Sequence, residues 1–140
     1  MKNNLKNLFV LTAVISLFMV SCAKDEGEGG NSSITGKVFV KDYNSEYTSV
    51  HHEYYAMDED VFIMYGDHNY YDDKTTTGYD GTFRFGNLRK GKYTIFVYSD
   101  DTTYYSNWSP DNPESYPIIK EVEITKNNQE INLDEIIIAK

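Results

Sequence analysis

Between residues 34 and 140 the apolar side chains recur every second position, and no stretch after residue 30 repeats at the 3.6-residue period of a helix. Ile34, Val38 and Val40 share one face of a strand while Thr35, Lys37 and Lys41 take the other, with Phe39 an exception on the outer side. Phe83 and Phe85 alternate with Thr82 and Arg84; Tyr93, Ile95 and Val97 alternate with Thr94, Phe96 and Tyr98; Val122 and Ile124 lie between Glu121, Glu123 and Thr125. Val61 to Tyr65 (VFIMY) is apolar on both faces, as in a central strand or one covered by a neighbouring loop. Ile131 to Ile138 closes the chain, its alternation slipping near Asp134-Glu135 as a bulge would make it. Asp80-Gly81, Gly86-Asn87, Lys90-Gly91 and Asn127-Asn128 punctuate these runs as turns. Six or seven short strands so punctuated predict an all-β domain, a β-sandwich, over 34–140.

The chain ahead of that domain has a different character. Lys2 and Lys6 precede an uncharged apolar run of 13 residues, Leu8 to Val20, which ends at Ser21 and Cys22. A membrane span needs about 20 residues, so the run is short for one and suits the core of a signal peptide over 1–21. Its ending in the sole cysteine resembles the lipobox of bacterial lipoproteins. That resemblance implies acylation of Cys22, loss of the preceding peptide, and a role for the thiol as a fatty-acyl attachment point. Two or more acyl chains hold a membrane firmly, since each buried methylene contributes about 0.8 kcal/mol. Lys24, Asp25 and Glu26 resemble the lysine-plus-acid export signal of some Gram-negative lipoproteins, which implies an outer-membrane address facing the exterior. Gly27 to Ser33 has no apolar side chain, and 22–33 is expected to be a flexible tether.

Charge narrows the partners. Removing Lys2 and Lys6 from the 13 basic residues leaves 11 against 22 acidic ones, a formal charge near −11. Such a balance argues against nucleic acid and anionic lipid surfaces and favours neutral ligands or cations. With Cys22 acylated no disulfide can form, so the domain must stand on its apolar core.

Thr77 to Val97, TGYDGTFRFGNLRKGKYTIFV, is similar to the core signature of carboxypeptidase regulatory-like domains, and Ile34-Thr35-Gly36-Lys37-Val38 resembles that family's opening strand. The resemblance implies a seven-stranded Greek-key sandwich of transthyretin-like (prealbumin-like) type, without the metal site of the enzymes to which such domains are attached. In physical terms, Asp80-Gly81 is expected to close a type I′ hairpin, Phe83 and Phe85 to point inward, and Tyr93 to lay its ring on the core with its hydroxyl at the rim.

Two connections exceed the family's usual turns, Asp42 to Glu59 and Ser99 to Pro117. Together they hold Tyr43, Tyr47, Tyr54, Tyr55, Tyr104, Tyr105, Trp108 and Tyr116, eight of the 14 tyrosines and tryptophans. If successive strands reverse direction, these connections share the end of the sandwich opposite the tether. Rigidly mounted aromatic loops suit a binding site for carbohydrate or a surface protein; the same rings would equally serve to pack the loops on themselves and over Phe62 and Met64.

Other constellations predict less. His51, His52, Glu53 and His68 have the chemistry of zinc ligands, but adjacent histidines on a strand face opposite ways, and no metal site is expected. Asp58, Glu59 and Asp60, with Asp72, Asp73, Asp100, Asp101 and Asp111, lack the alternating spacing that wraps calcium. Cna-type B sandwiches, to which the domain is similar, join a lysine to an asparagine, which would make Lys37 or Lys41 and Asn132 candidates; alternation puts both lysines on the outer face, where that chemistry is not supported. No Ser-His-Asp or Cys-His set is visible, so neither catalytic residues nor a cofactor are expected. The sequence reading is therefore a lipid-anchored, non-catalytic binding or assembly module, with a purely structural spacer or adhesion domain as the alternative.

Overall fold

A computed structural model describes residues 26–102 and 115–140. Nine strand segments build it: β1 (Glu28–Tyr43), β2 (Val50–Tyr55), β3 (Asp60–Tyr65), β4 (Asp73–Thr76), β5 (Thr82–Leu88), β6 (Gly91–Asp100), β7 (Ser115–Ile124), β8 (Glu130–Asn132) and β9 (Ile136–Ala139). They form two sheets, and the chain is an all-β sandwich as its periodicity predicts. One sheet has the order β4-β3-β6-β7, antiparallel throughout. The other is organised by β1, to which β2 and β5 pair antiparallel and β8 and β9 pair parallel.

β1 is long enough to serve two strands on each edge. The Val38 amide donates to the Gly81 carbonyl, and the Val38 carbonyl accepts from the Ala56 amide, so β5 and β2 follow one another along a single edge. The odd-numbered residues use the opposite edge: Thr35 and Lys41 accept from Leu133 and Lys140, beside β8 and β9. Ile131 to Ile138 is thus two strands separated by residues 133–135, where the sequence suggests one bulged strand.

Between the sheets lies the core that the alternation marks out. Ile34, Val38, Val40, Phe83, Phe85, Leu88, Ile136 and Ile138 come from one sheet, and Val61, Ile63, Tyr93, Ile95, Val97 and Ile124 from the other, each at most 4% exposed. Burying each large side chain contributes about 1.5–3 kcal/mol. A sum of that kind is what lets a disulfide-free domain hold.

Three local expectations are corrected. Residues 28–33 belong to β1, and Ser32 and Ser33 are buried. The glycines there answer a steric demand: a Cβ at Gly30 would collide with the Leu88 carbonyl. The Gly27 amide donates to the Tyr93 hydroxyl at 3.0 Å, and its carbonyl accepts from the Arg89 amide at 2.9 Å. The expected tether is therefore ordered from Glu26 onward; its residues 22–25 lie outside the described residues. Secondly, only Gly81 (φ 76°) has positive φ at the Asp80-Gly81 turn, so it is not type I′. Gly78 accepts from Gly81 around Tyr79-Asp80, and Gly81 takes the left-handed position that follows. Thirdly, Gly86-Asn87 is no turn: β5 runs through it, Asn87 adopting φ 56° where the β1–β5 register shifts near Leu88.

Candidate functional site

Two poles organise the surface. At one, Glu26 and Gly27 meet Tyr65, Gly66, Arg89, Gly91 and Tyr93. At the other, the end of β1 meets the end of β6: the Tyr47 hydroxyl donates to Asp100 Oδ2 at 2.9 Å, and the Tyr43 amide donates to the Lys140 carbonyl at 2.7 Å. Tyr116 lies there too, paired with Ser99 and 41% exposed. The chain thus enters the sandwich at the pole opposite Tyr43, Tyr47 and Tyr116.

The expected aromatic cluster is only partly assembled at that far pole. Tyr43 and Tyr47 pack on each other with ring centres 6.0 Å apart, half-buried, and the Tyr47 hydroxyl is occupied by Asp100. The 42–59 connection is not one long loop, because β2 occupies its middle. Tyr54 and Tyr55 therefore sit on the flank beside β1. Tyr55 packs edge-on to Phe39 at 5.3 Å, receives the Lys37 ammonium over its ring at 4.6 Å, and donates to Glu135 at 2.7 Å. That bond, with the negative charge of Glu135, holds the Tyr55 hydroxyl above its ordinary pKa. Tyr104, Tyr105 and Trp108 lie outside the described residues, as do Cys22, Lys24, Asp25 and Asp111.

A second aromatic surface stands on the outer face of the β4-β3-β6-β7 sheet. Phe62 and Phe96, opposite one another on β3 and β6, stack with centres 5.1 Å apart and planes 13° from parallel. Tyr71 meets Phe62 edge-on at 5.1 Å, and Tyr98 meets Phe62 and Phe96 edge-on at 5.8 and 5.7 Å. Ile119 and Pro117 of β7 extend the surface, opposite Phe96 and Tyr98. Tyr71 (54%), Tyr98 (45%) and Ile119 (51%) stay open to water, while Phe96 is screened by its neighbours. An outward sheet face is ordinarily polar, so a continuous aromatic patch here is the kind of exposure that marks an interaction surface. Polar groups rim it: Lys74, opposite Phe62, donates to Asp60 at 2.9 Å, and Thr94 and Glu121 pair beside the rings. The Asp60 bond also raises the Lys74 pKa, keeping the ammonium charged.

The two-faced apolarity of VFIMY was the available signal for this surface. Val61 and Ile63 face the core, and Phe62 and Met64 face outward; β3 is a central strand between β4 and β6, and Tyr71 of the connection that follows it covers Phe62 in part, so both of the alternatives that the sequence leaves open apply. Tyr71 and Tyr98 carry no mark of their own; the register of β3 on β6 brings Tyr98 to Phe62, and the return of the chain from β3 to β4, where the Asp72 amide donates to the Ile63 carbonyl, brings Tyr71 there.

The remaining candidates scatter. His68 bonds Asp72 at 2.8 Å and stacks on Tyr70 at 5.2 Å, in the turn after β3, whereas His51 and His52 sit on β2. Among the described residues no group of three or more His, Cys, Asp or Glu side chains is placed to hold a metal. Asp60, Glu59 and Asp100 engage Lys74, Lys140 and Tyr47 respectively. Lys37 lies 3.6 Å from Asp80 and Lys41 3.9 Å from Glu53, both on the outer face, so neither is directed at Asn132. The clefts beside Gly66 and Lys92, beside Gly29 and Arg89, and beside Asp73 and Arg84 are open, and none is predominantly apolar, unlike the enclosed apolar pockets that take small molecules. The aromatic face, by contrast, offers an extended and partly exposed set of rings.

The architecture defines the class, an all-β sandwich with two sheets. The chain matches no family model, and no curated protein sequence resembles it significantly. It is similar to the crystal structure of (S)-allantoin synthase at 11% identity with a TM-score of 0.40, over 74% of this chain and 41% of that one. The matched region is thus less than half of the enzyme's length, and the likeness is too slight to bear on function.

Proposed function

We propose that this protein is a lipid-anchored, non-catalytic binding module of transthyretin-like topology, displayed from the outer membrane through Cys22, whose ligand is a neutral carbohydrate met by the aromatic face of β3 and β6. One observation carries the reading: Tyr71, Tyr98 and Ile119 are exposed around the stacked pair Phe62–Phe96, on a face that has no call for aromatic rings if it only meets water. Flat rings bind the C–H faces of sugars, and the Asp60–Lys74 and Thr94–Glu121 rim offers both acceptors and donors to hydroxyl groups. The acidic balance of the chain favours an uncharged ligand over an anionic one. Rings of this kind supply contact area at low entropy cost.

The spacer reading keeps one observation of its own. Tyr43 and Tyr47 are packed on each other and tied to Asp100, so the first connection serves its own order rather than a ligand. The two readings separate on a panel of neutral polysaccharides and glycans. A binding module retains at least one of them, and Tyr98→Ala with Tyr71→Ala abolishes the retention while leaving the melting temperature within a few degrees. A spacer retains none.

A further inference from the structure

We infer that the free edge of β2 pairs two copies of this chain, antiparallel, in the register that sets His51 against the partner's Glu53. The inference is independent of the carbohydrate reading. Because Val38 uses both its amide and its carbonyl on the β5/β2 edge of β1, Val40 and Asp42 also point there, toward their partners Tyr54 and His52. The amides and carbonyls of His51, Glu53 and Tyr55 consequently point away from β1. All six residues of β2 are exposed, Val50, Tyr54 and Tyr55 by 40%, 47% and 41%.

Among the described residues three other edges of the sandwich, those of β7, β9 and β4, are blunted, and that of β2 is not. β7 carries Pro117 and turns Lys120 inward, opposite Ile95, two devices that discourage strand addition. On β9 the Ala139 amide is taken by the Ser99 hydroxyl at 2.9 Å. β4 is only four residues long. β2 has neither proline nor lysine in Val-His-His-Glu-Tyr-Tyr, and among the described residues nothing pairs with the outer edge of this six-residue strand.

The side chains select the occupant and the register. Outward-pointing backbone must meet outward-pointing backbone, so only registers pairing odd residues with odd residues are allowed. Placing Glu53 opposite itself sets two carboxylates together, and placing His51 opposite itself leaves Glu53 facing Ser49. Between these lies one register in which His51 faces the partner's Glu53 on both sides of the two-fold axis. The same register puts Val50 against the partner's Tyr54, covering two exposed apolar side chains on the other face. His52 then meets its own copy at the axis, each ring with Asp42 3.4 Å away. Self-complementarity of this kind is what a two-fold interface requires of a single strand. A six-residue edge makes a weak dimer, of the sort that confinement of both copies to one membrane would favour.

The test is sedimentation equilibrium over a concentration series on the chain from Lys24 onward, which keeps both sheets whole and has no thiol to cross-link. Wild type is expected to follow a monomer–dimer equilibrium. His51→Glu and Glu53→His alone each weaken it by roughly tenfold, because two cross-strand pairs turn from attraction to like charge or lose their partner. The double exchange H51E/E53H restores it, since the pair is rebuilt in reverse. Glu53→Pro, which removes an amide that the monomer leaves in solvent, abolishes the dimer without altering the melting curve. A wild type monomeric throughout overturns the inference, as does a dimer that the single exchanges leave intact or that Tyr71→Ala and Tyr98→Ala dissolve.

Discussion

Tyr93 closes the pole at which the chain enters. Its ring is 1% exposed, its hydroxyl accepts from the Gly27 amide at 3.0 Å, and it donates to the Arg89 carbonyl at 2.8 Å. Tyr93→Phe leaves Gly27, itself buried, with an unanswered N–H, at a cost of about 1–3 kcal/mol. Urea unfolding should show that loss as a lower midpoint with an unchanged slope, since the fold and the area exposed on unfolding stay the same. Titration reports on the same corner. Burial raises Tyr93, and burial with help from Asp73 pushes Tyr65 up to about 12, from an ordinary 10.0. Between those values the folded state holds protons that the unfolded state has released, so this part of the stability is complete below pH 10 and is lost as pH rises toward 12. Near-ultraviolet difference spectra should accordingly show a late-ionising fraction of the tyrosines, and Tyr65→Phe should remove part of it. The inward ring of Tyr93 was legible from its alternation with Thr94; its bond to Gly27 was not, because sequence carries no record of which distant backbone a hydroxyl will reach.

At the scale of elements, β1 differs most from its sequence reading. Glycine and serine without apolar side chains look alike in a loose tether and in a strand whose neighbours press too close for a Cβ. Gly30 belongs to the second kind, against Leu88. Gly30→Ala is expected to destabilise by about 1–3 kcal/mol, the range for forcing extra volume into a packed site, whereas a true tether residue would tolerate it. Thermal unfolding of that variant beside Gly27-to-Ser33 deletion checks the point: both should melt well below wild type. β2 was hidden for a related reason. VHHEYY has no buried face, and all six residues are exposed, so the alternation that betrays β3, β5 and β6 has nothing to act on. By contrast the inward sets Ile34/Val38/Val40, Phe83/Phe85 and Tyr93/Ile95/Val97 were readable because each lies on the core side of a regular strand. The turn at Asp80-Gly81 was found at the right place and with the wrong geometry, since one glycine with positive φ suffices where Tyr79 and Asp80 form the bend.

For the whole molecule, the sandwich sets Glu26 and Tyr47 at opposite ends, and the aromatic face of β3 and β6 runs along its side. Display from a membrane through Cys22 would leave that face free. Cys22→Ser should move the protein from the membrane fraction to the soluble one and remove the mass of the acyl chains; recovery of the variant in membranes would refute the anchor. Of the candidate surface only the aromatic content was legible, and it pointed toward the long connections, where Tyr43 and Tyr47 pack on one another. The pairing of β3 with β6 gathers Phe62, Phe96 and Tyr98, and the connection from β3 to β4 adds Tyr71. The most direct check is an NMR titration of the domain with those soluble neutral oligosaccharides that come closest to its best polysaccharide. The ring protons of these four residues should shift together and saturably, with those of Tyr43 and Tyr47 unmoved. Shifts gathered at Tyr43 and Tyr47, or none at any of the four rings, would contradict the account.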